Sequence, residues 1–312
     1  MLITGITCVR NEADIIESFV RHNLNYLDHL LVVDNCSTDK TLEILLLLKN
    51  EGLNIDIKTF PAKDHQQEII FNAAINQLAI DERNFDFCVL LDADEFIDAE
   101  SKNYFSNELA MCPAGFYPGI GWKTYMPNFE AVNKDLNITT HMTHRRDPEG
   151  VVHYKSIVPK DLFGDCQVWA GNHRIQSILG GQWEIYPIKS KLAHIPIRSK
   201  EQAIAKLLLN SHSIALKSNK LSGEALHWIY LSNEIRSNGY DLSKEEIIKF
   251  SLIYGQDPSS LDEFKIAFDP IKIIGNQELK YQHLANLSTI ERLDKYISQL
   301  IEEIIFIRQK HK

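Results

Sequence analysis

The sequence predicts an α/β fold, a mixed sheet flanked by helices with a helical C-terminal region, and three observations carry the prediction. Apolar runs of strand length alternate with helix-patterned stretches over the first 92 residues, shorter strand-like segments fill about 115–197, and capped, helix-periodic segments dominate from Ser199 onward. The first region reads as strand Leu2 to Val9, helix from about Glu12 to Tyr26, strand His29 to Val33, helix from about Thr38 to Asn50 and strand Asn54 to Phe60. A helix from about Gln66 to Ile80 and the strand Phe87 to Leu91 complete it. Strands and helices alternating at these lengths make a mostly parallel sheet covered on both faces, and right-handed crossovers align the strand ends along one edge. The second region, with strands at Gly121 to Met126, Val151 to Val158 and Lys191 to Ile195, reads as an antiparallel extension of that sheet.

In the third region Ser199-Lys200-Glu201-Gln202 is a capping box, and Ile204, Leu207, Leu208, Ser211 and Ala215 follow on one helix face. Ser243 to Glu246 and Ser288 to Glu291 repeat the signature, and Gly255 stands where the helix begun at Ser243 should end. The expected organisation is residues 1–198 as one α/β domain, with halves 1–100 and 101–198, followed by 199–312 as a helical region. In the last helix Ile290, Leu293, Ile297, Leu300, Ile304 and Ile307 repeat at three-four spacing for under three heptads. Such a seam packs on its own chain, on a second copy to make a homodimer, or on a membrane surface, the last drawing on Arg292, Lys295, Arg308, Lys310 and Lys312.

Composition narrows the function classes. The five cysteines, at 8, 36, 88, 112 and 166, show no CxxC spacing, and three lie in or just beyond expected strands, which fits a reducing cytoplasm. The longest aliphatic run, Ile44 to Leu48, is far too short to cross a bilayer, so a soluble chain is expected. A net charge of −9 argues against general nucleic-acid binding. Beneath that total, residues 1–100 carry a balance of −12, whereas 141–198 carry +3 and hold five of the twelve histidines. An acidic half able to hold a cation precedes a basic half able to hold an anion.

The most informative motif is Asp92-Ala93-Asp94-Glu95, directly behind the apolar run Phe87-Cys88-Val89-Leu90-Leu91. Ligands of open α/β sheets bind outside the carboxyl ends of the strands. Arg10-Asn11-Glu12, Asp34-Asn35 and this tetrad all fall at such ends. Hard divalent cations take oxygen ligands, and one held there could hold a diphosphate. Asp34, after the second strand, could accept hydrogen bonds from a ribose or a base. Dinucleotide enzymes place an acid there too, but Val9-Arg10-Asn11-Glu12 contains no GxGxxG, which argues against a dehydrogenase. The run Asp34-Asn35-Cys36-Ser37-Thr38-Asp39 also reads as a turn in which Ser37 or Thr38 caps the next helix.

Taken in order, Cys8-Val9-Arg10-Asn11-Glu12, then Leu31-Val32-Val33-Asp34-Asn35-Cys36-Ser37-Thr38-Asp39-Lys40-Thr41, then Leu90-Leu91-Asp92-Ala93-Asp94-Glu95-Phe96, resemble the nucleotide-sugar half of family 2 glycosyltransferases of the GT-A fold. The similarity is greatest to the branch with a D-[DN]-x-S-T-D loop and a D-A-D-E metal motif, and it covers about the first 100 residues. It implies a Rossmann-like, GT-A type mixed sheet in which 1–100 binds the nucleotide sugar and 101–198 receives the acceptor. It further implies that Asp34 reads the base or ribose of a nucleoside diphosphate sugar, usually a uridine one. Arg10, Asn11, Glu12, Asn35 and Ala93 fall in the same donor-binding loops. Asp92 and Asp94 would serve the ribose and a Mn or Mg ion, Asp94 being the stronger candidate for direct coordination. Two departures stand out, Asn35 and Cys36, where many members have Asp and Gly; the first removes a charge near the base.

The second half is similar to the same branch, through Val152-His153-Tyr154-Lys155-Ser156-Ile157-Val158-Pro159, Gly171-Asn172-His173-Arg174 and Ala193-His194-Ile195-Pro196-Ile197-Arg198-Ser199. There a lysine-bearing strand and a later histidine return to the metal, so His194 is the candidate third ligand and His173 the runner-up. Lys155, Arg174 and Arg198 could neutralise the departing diphosphate. A general base must reach the acceptor hydroxyl. Asp147, Glu184, Asp165 and Glu95 are candidates, with Asp147 ranked first because Arg145 and Arg146 beside it would keep it ionised.

The expected activity is metal-dependent transfer of a sugar to a hydroxyl of a glycan or glycolipid acceptor, with inversion carried over from the family. Its expected setting is surface polysaccharide or lipopolysaccharide synthesis in the cytoplasm, at the inner face of the membrane. Two rivals are an inactive nucleotide-sugar-binding protein of the same fold and a nucleotidyltransferase, for which the single arginine after the first strand is poor support.

Overall fold

The computed structural model describes residues 1–60, 67–80, 84–129, 137–169, 171–181, 183–216, 226–275, 278–285, 291, 293 and 297. The seam helix at the C-terminus and the Ser288 capping box lie almost wholly outside the described residues, as do positions 81–83 and 130–136.

The first region is built as β1 (Ile3–Val9), α1 (Ile16–Asn23), β2 (His29–Asp34), α2 (Thr41–Asn50), β3 (Ile55–Thr59), α3 (Gln67–Ile80) and β4 (Phe87–Asp92). Then come β5 (Glu95–Asp98), α4 (Lys102–Ala110), β6 (Phe116–Met126), α5 (Ile138–His141), β7 (His144–Asp147) and β8 (Tyr154–Pro159). The remainder is β9 (Cys166–Trp169), β10 (Arg174–Ser177), β11 (Glu184–His194), α6 (Lys200–Leu216), α7 (Leu226–Ser237), α8 (Lys244–Ile253) and β12 (Lys265–Phe268).

A 10-stranded mixed sheet follows the order β12-β7-β6-β8-β4-β1-β2-β3, with β11 pairing both β5 and β6; β9 and β10 form a separate ribbon. β1 lies between β2 and β4, parallel to both, and β2 is parallel to β3. β8 joins β4 and β6 antiparallel, so the parallel core passes into the expected antiparallel extension there. One pairing departs from that expectation: β11 runs parallel to β6, with a register shift between Pro187 and Lys191.

Side-chain alternation explains why both sheet faces are covered. Ile3 and Val9 of β1, Leu30 and Val32 of β2, and Val89 and Leu91 of β4 join one core with Phe19 and Val20 of α1 and Ile44, Leu45 and Leu48 of α2. Ile6, Leu31, Val33, Cys88 and Leu90 face the other way, onto Ile70, Phe71 and Ile75 of α3. Each such fully buried aliphatic side chain contributes about 1.5–3 kcal/mol. The two faces therefore fix the register of the central strands, since a one-residue slip would exchange the two sets. Cys88 and Cys166 are small core residues, and all five thiols are free. A third core joins Ile197, Leu207 and Leu208 to Leu231, Ile235, Phe250 and Ile253 of α7 and α8.

Both described capping signatures form. Ser199 Oγ accepts from Gln202 N at 3.1 Å, although the Gln202 side chain returns to Arg198 N. Ser243 and Glu246 make the full reciprocal box, and Gly255, at φ +70°, follows α8. The cap expected from Ser37 or Thr38 does not form, because α2 begins later, at Thr41, whose N–H is bound by Asp39 Oδ1 at 2.9 Å. Among the described residues no helix is long and apolar enough to cross a membrane.

Candidate active site

The carboxyl ends of β1, β2 and β4 converge as the crossovers require. Asn11, in the left-handed region at φ 57°, turns the chain after β1. Its side-chain oxygen accepts from Thr38 N at 2.7 Å and Asp39 N at 3.2 Å, and its own N–H donates to Ser37 Oγ at 3.0 Å. Glu12 N donates to Thr41 Oγ1 at 2.8 Å. Ser37 and Thr38 thus tie two strand-end loops together, and Asn11 acts on the loop's shape. This tie holds Asp34 and Asn35, whose N–H donates to Val9 O at 2.8 Å, at the mouth of the sheet.

Asp34 is 2% exposed. One of its oxygens accepts from Ser37 N at 3.2 Å, while the buried Oδ1 has no partner. Burial raises its pKa, with the Ser37 hydrogen bonds and nearby Arg10 opposing. Arg10 is partly buried and Cys36 exposed.

The tetrad is a turn between two strands, with Asp92 ending β4 and Glu95 opening β5. Ala93 is buried inside it. Glu95 points inward: Oε2 accepts from Asp92 N at 2.8 Å, and Oε1 accepts from Trp122 Nε1 at 2.6 Å. Burial pushes its carboxyl far above the usual range against the pull of Lys155. Lys155, fully buried on β8, donates to Asp92 Oδ2 at 2.6 Å and to Gly171 O at 2.9 Å, while Gln67 Nε2 takes Asp92 Oδ1 at 2.5 Å.

Asp94 and His194 face one another from the tetrad and the end of β11, with Asp94 Oδ1 3.9 Å from His194 Nε2. Burial opposes ionisation of Asp94, yet Lys206, hydrogen-bonded to its Oδ2, and the neighbouring Arg198 hold the carboxyl below the usual range. Burial also drives the His194 pKa well down, so its ring is neutral; Nδ1 is buried without a partner. The ring stacks on Trp122, with centroids 4.1 Å apart. Arg198 donates from Nη2 to Glu12 Oε2 at 2.6 Å and from Nε to Asp14 Oδ2 at 2.9 Å, and its Nη1 is buried without a partner.

The donor chemistry of Asp94 and His194 suits a divalent cation, because an ionised carboxylate and a neutral imidazole with an orphaned nitrogen stand together. Asp92 does not complete a third position, since both its oxygens are engaged. Among the described residues no group of three His, Cys, Asp or Glu side chains is gathered as metal ligands.

Other sequence candidates lie elsewhere. His173 meets Trp122 edge-on at 5.1 Å, and its Nδ1 is 2.9 Å from Tyr154 O. Arg174 is exposed, over the Trp169 ring. Asp165 binds Ser177 Oγ and Leu179 N, and Glu184 is exposed at the start of β11. Asp147, on β7, has a side chain 54% exposed and pairs with Arg145 at 3.0 Å. The structure brings none of these five into contact with the Asp92–Asp94 turn. Conversely, sequence reasoning passed over Asp14, Gln67, Lys206 and Tyr254. Only Lys206 left a trace: a lone cation in the apolar run Ala203-Ile204-Ala205-Lys206-Leu207-Leu208, one turn beyond the buried Gln202.

Residues 5–150 match the family model described as glycosyl transferase family 2. The sheet is mixed and helix-flanked, the α/β architecture expected from the sequence. No curated protein matches the chain. Among solved structures it is similar to S. aureus TarS in complex with UDP, at 15% identity over 80% of this chain and 81% of that one, with a TM-score of 0.39. It is similar also to the mannosyltransferase PcManGT from Pyrobaculum calidifontis in complex with GDP-Man and Mn2+, at 11% identity over 83% and 84%, TM-score 0.40. A third is 4-diphosphocytidyl-2C-methyl-D-erythritol synthase from Anaerococcus prevotii, at 8% identity over 60% and 87%, TM-score 0.35. These are loose likenesses.

Proposed function

We propose that this protein is a glycosyltransferase that moves a sugar from a nucleoside diphosphate donor, uridine being the base the motifs favour, to a hydroxyl of a glycan or glycolipid, with inversion. The observation that carries the reading is a set of buried polar atoms without partners at one sheet mouth: Asp34 Oδ1, His194 Nδ1 and Arg198 Nη1. Buried polar groups are almost always hydrogen-bonded, so an acceptor, a ring nitrogen and a cationic donor left open together point to a ligand with a hydroxylated or amide end and an anionic end. A nucleoside diphosphate has both.

In this reading Asp34 accepts from the ribose or base, with Arg10 and Asn35 beside it. Arg198, braced by Glu12 and Asp14, presents Nη1 to the diphosphate. Lys155 fixes the orientation of Asp92 and adds positive charge behind the leaving group. Asp94 and His194 would hold a Mn or Mg ion, with Asp92 nearby; when bound, such an ion supplies Lewis-acid stabilisation of the charge growing on the diphosphate. Trp122, stacked on His194 and hydrogen-bonded to Glu95, keeps that ring in place. The segment from Ser199 onward, mostly helical but returning β12 to the edge of the main sheet, closes the site from the side. The setting we favour is surface polysaccharide or lipopolysaccharide assembly at the cytoplasmic face of a membrane.

Calorimetric titration of UDP and of GDP, each with Mn and with excess chelator, tests the donor site. Binding of one nucleotide only when metal is present supports the reading. Absence of binding by either nucleotide in both conditions overturns it.

A further inference from the structure

The family match ends at residue 150, yet the closest cation to Asp94 comes from beyond it. Lys206 extends from α6, and its Nζ donates to Asp94 Oδ2 while lying 5.6 Å from the centre of the Tyr254 ring. Both side chains are largely withdrawn from water, at 18% exposure for Lys206 and 7% for Asp94. The groups facing the ammonium are Asp94, Tyr254, Glu12 and Arg198. The lysine stands, hydrogen-bonded, against the carboxylate best placed to receive a metal ion. Two cations at one carboxylate repel each other strongly where water is scarce.

We propose that Lys206 is a positioning residue that holds the metal's place on Asp94, so that a divalent ion loads together with the donor diphosphate, whose oxygens take over the lysine's hydrogen bond. This rests on the donor-site reading above and adds to it an order of binding. A surface ion pair of the same length would have no such consequence, because its partners could turn to water. Here both are largely withdrawn from water, and Asp94 Oδ1 already faces His194.

The test measures Mn2+ binding to the full chain by the loss of the free-ion EPR signal, without nucleotide and with UDP or GDP, in the wild type, Lys206→Met, Lys206→Gln and Lys206→Arg. The wild type should bind Mn2+ weakly alone and about tenfold more tightly with the nucleotide that binds. In Lys206→Met and Lys206→Gln, Mn2+ alone should bind about tenfold more tightly than in the wild type, and the gain from nucleotide should shrink; Lys206→Arg should keep the wild-type pattern. A purely structural ion pair predicts the opposite sign, with Mn2+ affinity unchanged or lower in the neutral variants, and that result overturns the proposal while leaving the donor site intact. Should neither neutral variant fold, the wild type decides: Mn2+ affinity unmoved by a nucleotide that does bind overturns the ordered loading. Failure of the wild type to bind either nucleotide with metal present overturns the donor-site reading itself, and the ordered loading with it.

Discussion

Arg198 Nε donates to Asp14 Oδ2 at 2.9 Å across 184 positions of sequence, fastening the segment after β11 to the loop after β1. Glu12 shares the guanidinium at 2.6 Å. With Arg198 only 9% exposed, removing the cation leaves two part-buried carboxylates without compensation. Arg198→Met should therefore lower stability by about 3 kcal/mol, read by urea denaturation. Arg198→Lys should cost less in stability, yet a single ammonium cannot serve both carboxylates and an incoming diphosphate. Nucleotide affinity should fall in that variant even though the fold survives.

Asp34→Asn separates binding from folding. The partnerless Oδ1 contributes no hydrogen bond to the protein, and burial already raises the carboxyl's pKa, so the neutral amide should leave thermal stability unchanged or slightly higher. Nucleotide affinity should drop about tenfold, because a charge-assisted acceptor for the ribose or base is lost. Unchanged affinity by calorimetry would remove Asp34 from the donor site.

How far the sequence revealed this arrangement depended on how local each signal was. β1, β2 and β4 were legible because strands buried on both faces read as continuous apolar runs. β5 was hidden: its four residues, Glu95-Phe96-Ile97-Asp98, have polar ends and follow a turn directly. β6 begins five residues before the expected Gly121, through Pro118 and Gly119, residue types that usually interrupt strands. Asp34, Asp92 and Asp94 could be placed at strand ends from pattern alone. Trp122, Lys155 and Lys206 reach the tetrad only through pairings across 27 to 112 positions, which no local periodicity encodes.

Asp147 was ranked first as the general base for its neighbouring arginines. In the structure its carboxylate is mostly exposed and bound to Arg145, while Arg146 turns inward to Glu149 and the carbonyls of Leu252 and Tyr254. An exposed pair of that kind is worth about 0–1 kcal/mol. Asp147→Asn should accordingly fold normally and bind nucleotide as the wild type does. Transfer measured with a competent acceptor should stay within about threefold of the wild type, and a collapse of turnover with donor affinity retained would establish Asp147 as the base.

Two part-buried imidazoles tie stability to pH. Burial, helped by Lys155, pushes the His173 pKa down to about 3, and burial brings His227 down to about 4. An unfolded histidine titrates near pH 6.5, so below that point the unfolded chain binds protons that the folded chain refuses. Each residue therefore contributes stability that is complete above about pH 6.5 and is lost as pH falls toward its folded pKa. Between pH 6.5 and 5 the loss should approach about 2 kcal/mol for each ring. A series of urea denaturations from pH 7.5 to 5 should show that decline, and His173→Gln combined with His227→Gln should flatten it. An equally steep decline in the double variant would show that acid sensitivity arises from other groups.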